Sequence, residues 1–265
     1  MPEFSTTKQF VIAGGQCFVA PYVSGVPSGH QRYLGNSQNL SAAVASEKIQ
    51  LRSAESGLAV IDDETIVGIT RTGKLTLANI SLANLALFLI GSISTLTQVA
   101  TPVLDEAITV NKDRWYQLGK SVANPTGVHS VGSVVVTNSA GTTTYVLNTD
   151  YQLDAVNGRI YIMPTGAITD AQALKVDYTP TAGTRDRVAS SALTENTVEF
   201  WFIAANAKGA NRNWYAPKCL MSPSGDAVIK AAQPAYAQLG FDLTFAEPDS
   251  TFAGAALYID GQAVA

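Results

Sequence analysis

The sequence predicts a mainly β protein: a β-sandwich core with one long hairpin and one short packing α-helix, and a second all-β domain inserted into it. Three observations lead there. Apolar and polar residues alternate with a two-residue period along much of the chain, while helical spacing is scarce. Long strand-like runs at both ends flank residues 101–187, where short strands and turn residues follow one another closely. The composition is 46% hydrophobic and only 14% charged, against roughly 25% charged in ordinary soluble proteins. Surfaces so poor in charge suit strands that pack against neighbours, so self-association is expected.

The elements follow in order. Gln9 to Pro21 is apolar and closes at Pro21. Gln38 to Leu51 and Thr65 to Leu77 read as the arms of one long hairpin, joined by the loop Arg52 to Glu64. In the second arm Thr65, Val67, Ile69, Leu75 and Leu77 share one parity, interrupted by Arg71 and Gly73. Glu64, Gly68, Thr70, Thr72, Lys74 and Thr76 take the other. The first parity is the dry face and the second the wet one. In the first arm Leu40, Ala42 and Val44 oppose Asn39, Ser41, Ala43 and Ala45, but Ile49 and Leu51 fall on the opposite parity. A bulge or twist near Glu47 accounts for the switch.

Ser81 to Gly91 reads as the helix, with Ser81 as cap, Leu82, Leu85, Phe88 and Leu89 as its apolar stripe, and Gly91 as its stop. At about ten residues it is too short to persist alone in water, so it is expected to pack on the dry face of the hairpin. In the insertion, Ser133 to Thr137, Thr142 to Leu147, Arg159 to Met163 and Leu174 to Thr179 are strands, with Asn157-Gly158 as a hairpin turn. Val198 to Ala204, Trp214 to Met221, Ala227 to Lys230 and Gln238 to Ala246 return to the first domain. The predicted division is 1–100 with 188–265 for the core and 101–187 for the insertion.

Composition also excludes functions. A formal net charge of −4 offers no field for a phosphate backbone, so tight nucleic-acid binding is not expected. The start, Met1 to Lys8, is polar and lacks the pattern of a secretion signal. The longest apolar run, Leu85 to Ile90, is far short of the roughly 20 residues that span a bilayer. Cys17 and Cys219 read as buried, reduced thiols. With His30 and His129 as the only histidines, no multi-histidine metal centre can be built. Gly127 to Gly132 is not a nucleophile elbow, and Gly14-Gly15 and Gly209 lack the spacing of phosphate loops. Asp62, Asp63 and Glu64 are consecutive, so they cannot flank one bond as paired carboxylates; a solvated loop end or an intersubunit ion pair is expected. No cofactor or metal is expected. Tyr33, Trp115, Tyr116, Trp201, Trp214 and Tyr215 are the residue types of a sugar platform, although packing within strands accounts for them better.

Specific segments carry a resemblance. Arg32-Tyr-Leu-Gly-Asn-Ser-Gln-Asn-Leu-Ser41, Ala45 to Gly57, Asp62-Asp-Glu64 and Asn79 to Gly91 resemble the bacteriophage tail tube (major tail protein) family over about the first hundred residues. Val198 to Asn206 and Ala216-Pro-Lys-Cys-Leu-Met-Ser-Pro-Ser-Gly-Asp226 are similar to that family's closing strands. The insertion, with Asp150-Tyr151, Gly158-Arg-Ile-Tyr161 and Leu174-Lys-Val-Asp-Tyr178, is similar to small Ig-like β domains of phage tail proteins. The resemblance implies a structural, non-enzymatic virion protein, made in the host cytoplasm, that forms rings, usually hexameric. The long hairpins would join into a barrel around a lumen, and stacked rings would form the tube through which DNA passes during ejection. Partners so implied are the chain itself and tape measure, tail terminator and baseplate proteins.

On the parity argument, Asn39, Ser41, Glu47, Thr70, Thr72, Lys74 and Thr76 are expected to line the lumen. The loop carrying Arg52, Glu55, Asp62, Asp63 and Glu64 is expected to meet an adjacent subunit or ring, and the insertion to project outward. Two other readings stand beside this one: another virion β protein, such as a baseplate or adhesin subunit, and a glycan-binding module in the insertion.

Overall fold

The computed structural model describes residues 10–23, 26–55, 57, 59–190, 193–230, 235–248 and 254–261. Gln9, Ser56 and Leu58, like the polar start, lie outside the described residues. The protein is mainly β, with several antiparallel sheets and one α-helix among the described residues. It divides into two compact units, Met1–Ser94 with Val188–Ala265, and Thr95–Arg187.

The first unit is built on one large sheet. Its strands are β1 (Gly15–Val23), β2 (Val26–Pro27), β3 (Arg32–Tyr33), β4 (Ser37–Arg52), β5 (Ile61–Leu77), β14 (Thr197–Ala204), β15 (Arg212–Ser224), β16 (Leu239–Ala246) and β17 (Tyr258–Gly261). The order is β2-β1-β14-β15-β16-β5-β4, with β3 on β1 and β17 on β15. β16 shows why the sheet folds over a core: Leu239, Phe241, Leu243 and Phe245 are buried and alternate with exposed Asp242 and Thr244. Cys17, Val19, Leu75, Leu77, Phe200 and Met221 meet them in one cluster. Ala227 to Lys230 forms no strand, and Ile229 in it is almost wholly exposed.

The helix α1 (Leu82–Phe88) starts where expected, Ser81 accepting from the Asn84 amide at 3.2 Å. Two expectations about it are corrected. Of the expected stripe Phe88 packs on the core, edge-on to Phe241 at 6.0 Å, but Leu87 joins it there in place of Leu82, Leu85 and Leu89, the buried residues are Asn84 and Ala86, and the helix sits against β15 and β16. Asn84 is buried because its amide replaces missing backbone partners: Nδ2 donates to Leu34 O and Asn79 O, and Oδ1 accepts from Arg32 Nη1. The stop is also different. Ile90 takes the left-handed conformation (φ 48°), while the amides of Ile90 and Gly91 donate to Leu87 O and Ala86 O, closing the helix by the paired 5→2 and 6→1 bonds of a Schellman turn. Gly91 is needed for space, since a Cβ there would lie 2.6 Å from Ala189 O.

The second unit holds two three-stranded sheets. One is β7 (Val103–Val110), β12 (Gln172–Pro180) and β9 (Val131–Asn138) in the order β7-β12-β9. The other is β10 (Tyr151–Asp154), β11 (Arg159–Ile162) and β8 (Trp115–Gln117) in the order β10-β11-β8. Val136, Leu174, Val176 and Tyr178 from the first sheet share one buried cluster with Tyr151, Ile160 and Ile162 from the second. Thr142 to Leu147 is no strand. Asn138 Oδ1 takes the amides of Thr142 and Thr143, and the stretch keeps only isolated bridges, from Thr144 to Thr137 of β9 and from Leu147 to Tyr151 of β10. The β10–β11 turn spans Ala155 to Gly158, wider than a two-residue Asn-Gly turn, because Asp154 accepts from both Asn157 and Arg159. β6 (Ser92–Gln98) and β13 (Gly183–Ala189) pair as a two-stranded ribbon on which the chain enters and leaves this unit.

Candidate assembly surface

The hairpin β4–β5 is the longest paired element, and its register decides which side chains share a face. Leu40 faces Leu75, Ala42 faces Gly73, Val44 faces Arg71 and Ser46 faces Ile69. On the other side Asn39 faces Thr76, Ser41 faces Lys74, Ala43 faces Thr72 and Ala45 faces Thr70. Residues directly opposite in an antiparallel pair point the same way. Asn39, Ser41, Glu47, Thr70, Thr72, Lys74 and Thr76 therefore come together on one face. Sequence reasoning did not include Asp242, opposite Lys74, Thr244, opposite Thr72, or Ser222, opposite Asp242, which extend that face across β16 and β15. The alternation within 239–246 was the signal that could have found the two on β16.

The register shifts beside Glu47, where a bulge was expected, but the extra residue lies on the other arm. Glu47 opposes Gly68 and Lys48 opposes Ile66, so the extra residue is Val67 on β5, not a residue of β4. From Asn39 onward β4 alternates without interruption, which puts Ile49 and Leu51 on the Glu47 face. Two further shifts leave Gln38 extra on β4, between the Ser37–Leu77 and Asn39–Thr76 pairs, and Asp62 extra on β5, between the Leu51–Asp63 and Arg52–Ile61 pairs. The bulges exchange the faces expected for Thr65 and Glu64: Thr65 opposes Ile49, and Glu64 joins Lys48 and Gln50. Lys48 Nζ lies 2.5 Å and Gln50 Nε2 2.8 Å from the Glu64 carboxylate, and these hydrogen bonds hold Glu64 below the usual carboxylate range.

Asp62, Asp63 and Glu64 are thus strand residues. The connection is only Ser53 to Val60, with Arg52 ending β4 and Glu55 in the loop, its amide on Ser53 Oγ at 3.4 Å. Among the described residues neither Asp62 nor Asp63 joins an ion pair. Both are exposed.

The two halves of the hairpin differ sharply. β16 pairs with β5 only from Thr72 to Leu77, so Ile61 to Arg71 has its second edge open over roughly 35 Å at about 3.3 Å per residue. β4 ends the sheet order and exposes its own outer edge. At the base Leu75 and Leu77 are buried, whereas along the projecting arm Val44 is 70%, Ile49 64%, Ile66 55% and Ile69 53% exposed, on both faces.

A second surface lies across β3, β1, β14, β15 and β17. Phe18 and Tyr33 meet at 5.3 Å, Trp201 and Tyr215 at 4.1 Å, and Tyr215 and Tyr258 at 5.9 Å. Trp201 Nε1 donates to buried Glu199 at 2.8 Å, and burial together with that carboxylate pushes the Tyr215 phenol well up. Trp115 and Tyr116 belong to β8 of the second unit, and the other four aromatic residues to the first. Cys17 and Cys219 are buried free thiols, and burial pushes Cys219 up to about 12. No described helix is long and apolar enough to cross a membrane.

No curated protein matches the chain. A family model described as "Protein of unknown function UCP028589" matches residues 10–216, a span that takes in the whole hairpin, the second unit, β14 and the start of β15. The chain belongs to that family.

Proposed function

We propose that this chain is a structural subunit of a phage-type tail tube, whose hairpins pair between copies into a channel wall. The observation that carries the reading is the projecting arm of β4–β5. A two-stranded ribbon is at best marginal in water by itself, and a long edge open on both sides is a template for adding strands. Apolar side chains exposed along both faces need cover as well. Closing the arms of several copies into a barrel would satisfy the edges and bury these side chains.

In this reading the first unit is the sandwich core of the tube wall and the face bearing Asn39, Ser41, Glu47, Thr70, Thr72, Lys74 and Thr76 is its lumen side. Lys74 lies opposite Asp242, so that face carries little net charge to retain a passing phosphate backbone. The Ig-like second unit is the outward decoration, the rings are hexameric, and no catalysis is performed. Electron microscopy of the purified protein is the test: hollow tubes of uniform width are expected. A protein that remains monomeric at high concentration, or closes into discrete oligomers, would favour another kind of virion β protein.

Trp115 favours a second reading for the insertion, glycan binding. It is 47% exposed, stands 5.2 Å from Tyr161 and carries Arg159 over its ring at 4.6 Å. Tyr145 of the same unit is buried and accepts from Gln172, which leaves it no free face for a sugar.

A further inference from the structure

We infer that the second unit contains an oxyanion-binding site at the end of β13, recognised by Arg187 with Lys120 beside it. Arg185 and Arg187 stand two residues apart on β13, so their side chains leave the strand on the same side. With Lys120 and His129 they line a cavity of about 450 Å³. Three cationic side chains converge there in a chain that has 17 Lys and Arg and a net charge of −4.

The two arginines are in different states. Arg185 is engaged: Nη2 donates to Gly127 O at 2.6 Å and Nη1 to Gln98 Oε1 at 3.3 Å. Gln98 also holds the His129 backbone, accepting from its amide at 3.0 Å and donating to its carbonyl at 2.6 Å. This is a braced wall. Arg187 is not engaged: its Nε and Nη1 are buried and have no acceptor. Asp186 also lines the cavity, and its Oδ1 accepts from the Thr95 hydroxyl at 3.0 Å. None of the ion pairs among the described residues includes Lys120, Arg185 or Arg187.

Burying guanidinium donors without an acceptor is costly, and the cost is removed when an anion arrives to take them. The sign of the local field agrees with this: burial and the neighbouring Arg185 hold His129 below its ordinary value. The ligand class is a carboxylate or phosphate group, the two oxyanions for which arginine offers matching donors.

The test is thermal unfolding of the full chain with inorganic phosphate replacing chloride at matched ionic strength. A saturable rise in Tm is expected, with affinity falling at least tenfold in Arg187→Met and several-fold in Lys120→Met. Arg114→Met, which alters an exposed residue paired with Asp113, should leave the response unchanged. In buffer free of oxyanions Arg187→Met should melt above the wild type, because the unpaired buried charge is gone. If Arg187→Met does not fold, Arg187→Lys takes its place, and weakened phosphate binding is again expected. Acetate in parallel separates the two sources: an equal response identifies a carboxylate ligand, and a response to phosphate alone identifies a phosphate ester. No saturable response to either anion, or one unchanged by substitution of Arg187, overturns the site.

Discussion

The projecting arm of β4–β5 and the β7-β12-β9 sheet of the second unit are built from the same kinds of residue, yet they finish in opposite states. In β12, Leu174, Val176 and Tyr178 are all but inaccessible, covered by side chains of the same unit. On the arm, Val44, Ile66 and Ile69 are more than half exposed and no described part of the chain covers them. The difference teaches that alternation of apolar residues specifies a face to be covered but not the molecule that covers it. The buried face of β12 is covered within one chain, and in the proposed reading other copies cover the arm.

Substitutions on the two sides can break or sharpen that contrast. The largest effect should come from Val44→Asp with Ile69→Asp. Tube formation seen by electron microscopy should be lost entirely, while circular dichroism and the unfolding midpoint of the monomer stay close to wild type, since exposed sites shift stability by only about 0.5 kcal/mol. Loss of the fold instead would show that the arm supports its own chain.

Next in size is Ile162→Ala, at a fully buried position. Chemical denaturation should show a loss of about 2–5 kcal/mol from the cavity left behind, whereas Ile66→Ala on the arm should change monomer stability little. Equal losses would erase the distinction between the two regions.

The smallest effect concerns two carboxylates. Asp150, buried in the second unit, accepts from the Val146 and Ala167 amides at 2.8 and 2.7 Å, and these bonds lower its pKa. Glu64, on the arm, is lowered by Lys48 and Gln50. Both folded values lie below the unfolded ones, so each contribution is complete above about pH 4 and is lost as pH falls through the folded value. Asp150→Asn should therefore flatten the acid limb of stability more than Glu64→Gln does, because solvent screens the exposed pair. The reverse order in urea melts from pH 5 to pH 2 would count against it.

Much of the hairpin was legible from the chain alone. The alternation from Gly68 to Thr76 placed Thr70, Thr72, Lys74 and Thr76 on one face, and the register joins them there to Asn39, Ser41 and Glu47. Ser81 was recognisable as a cap because its hydroxyl acts within its own turn. The irregularity near Glu47 was legible, but not that its extra residue is Val67 on β5, nor the shift at Asp62, because an extra residue is defined only against a partner strand. Parity counted along β5 therefore slipped by one at Thr65 and Glu64. The helix face failed for a related reason: a leucine stripe suggested the buried side, but Asn84 is drawn in by Leu34 O and Arg32, about fifty residues earlier.

By itself, the sequence determined strand content, the two-residue periodicities, the cap at Ser81 and the change of texture that marks the second unit. Each depends on neighbours within a turn or a strand. Only the tertiary structure decided that the hairpin's outer arm is left uncovered, that Ile90 rather than Gly91 turns the helix off, and that Nε and Nη1 of Arg187 are buried without an acceptor. Those outcomes depend on which distant segments arrive to bury a side chain or complete its hydrogen bonds, and local pattern carries no record of that.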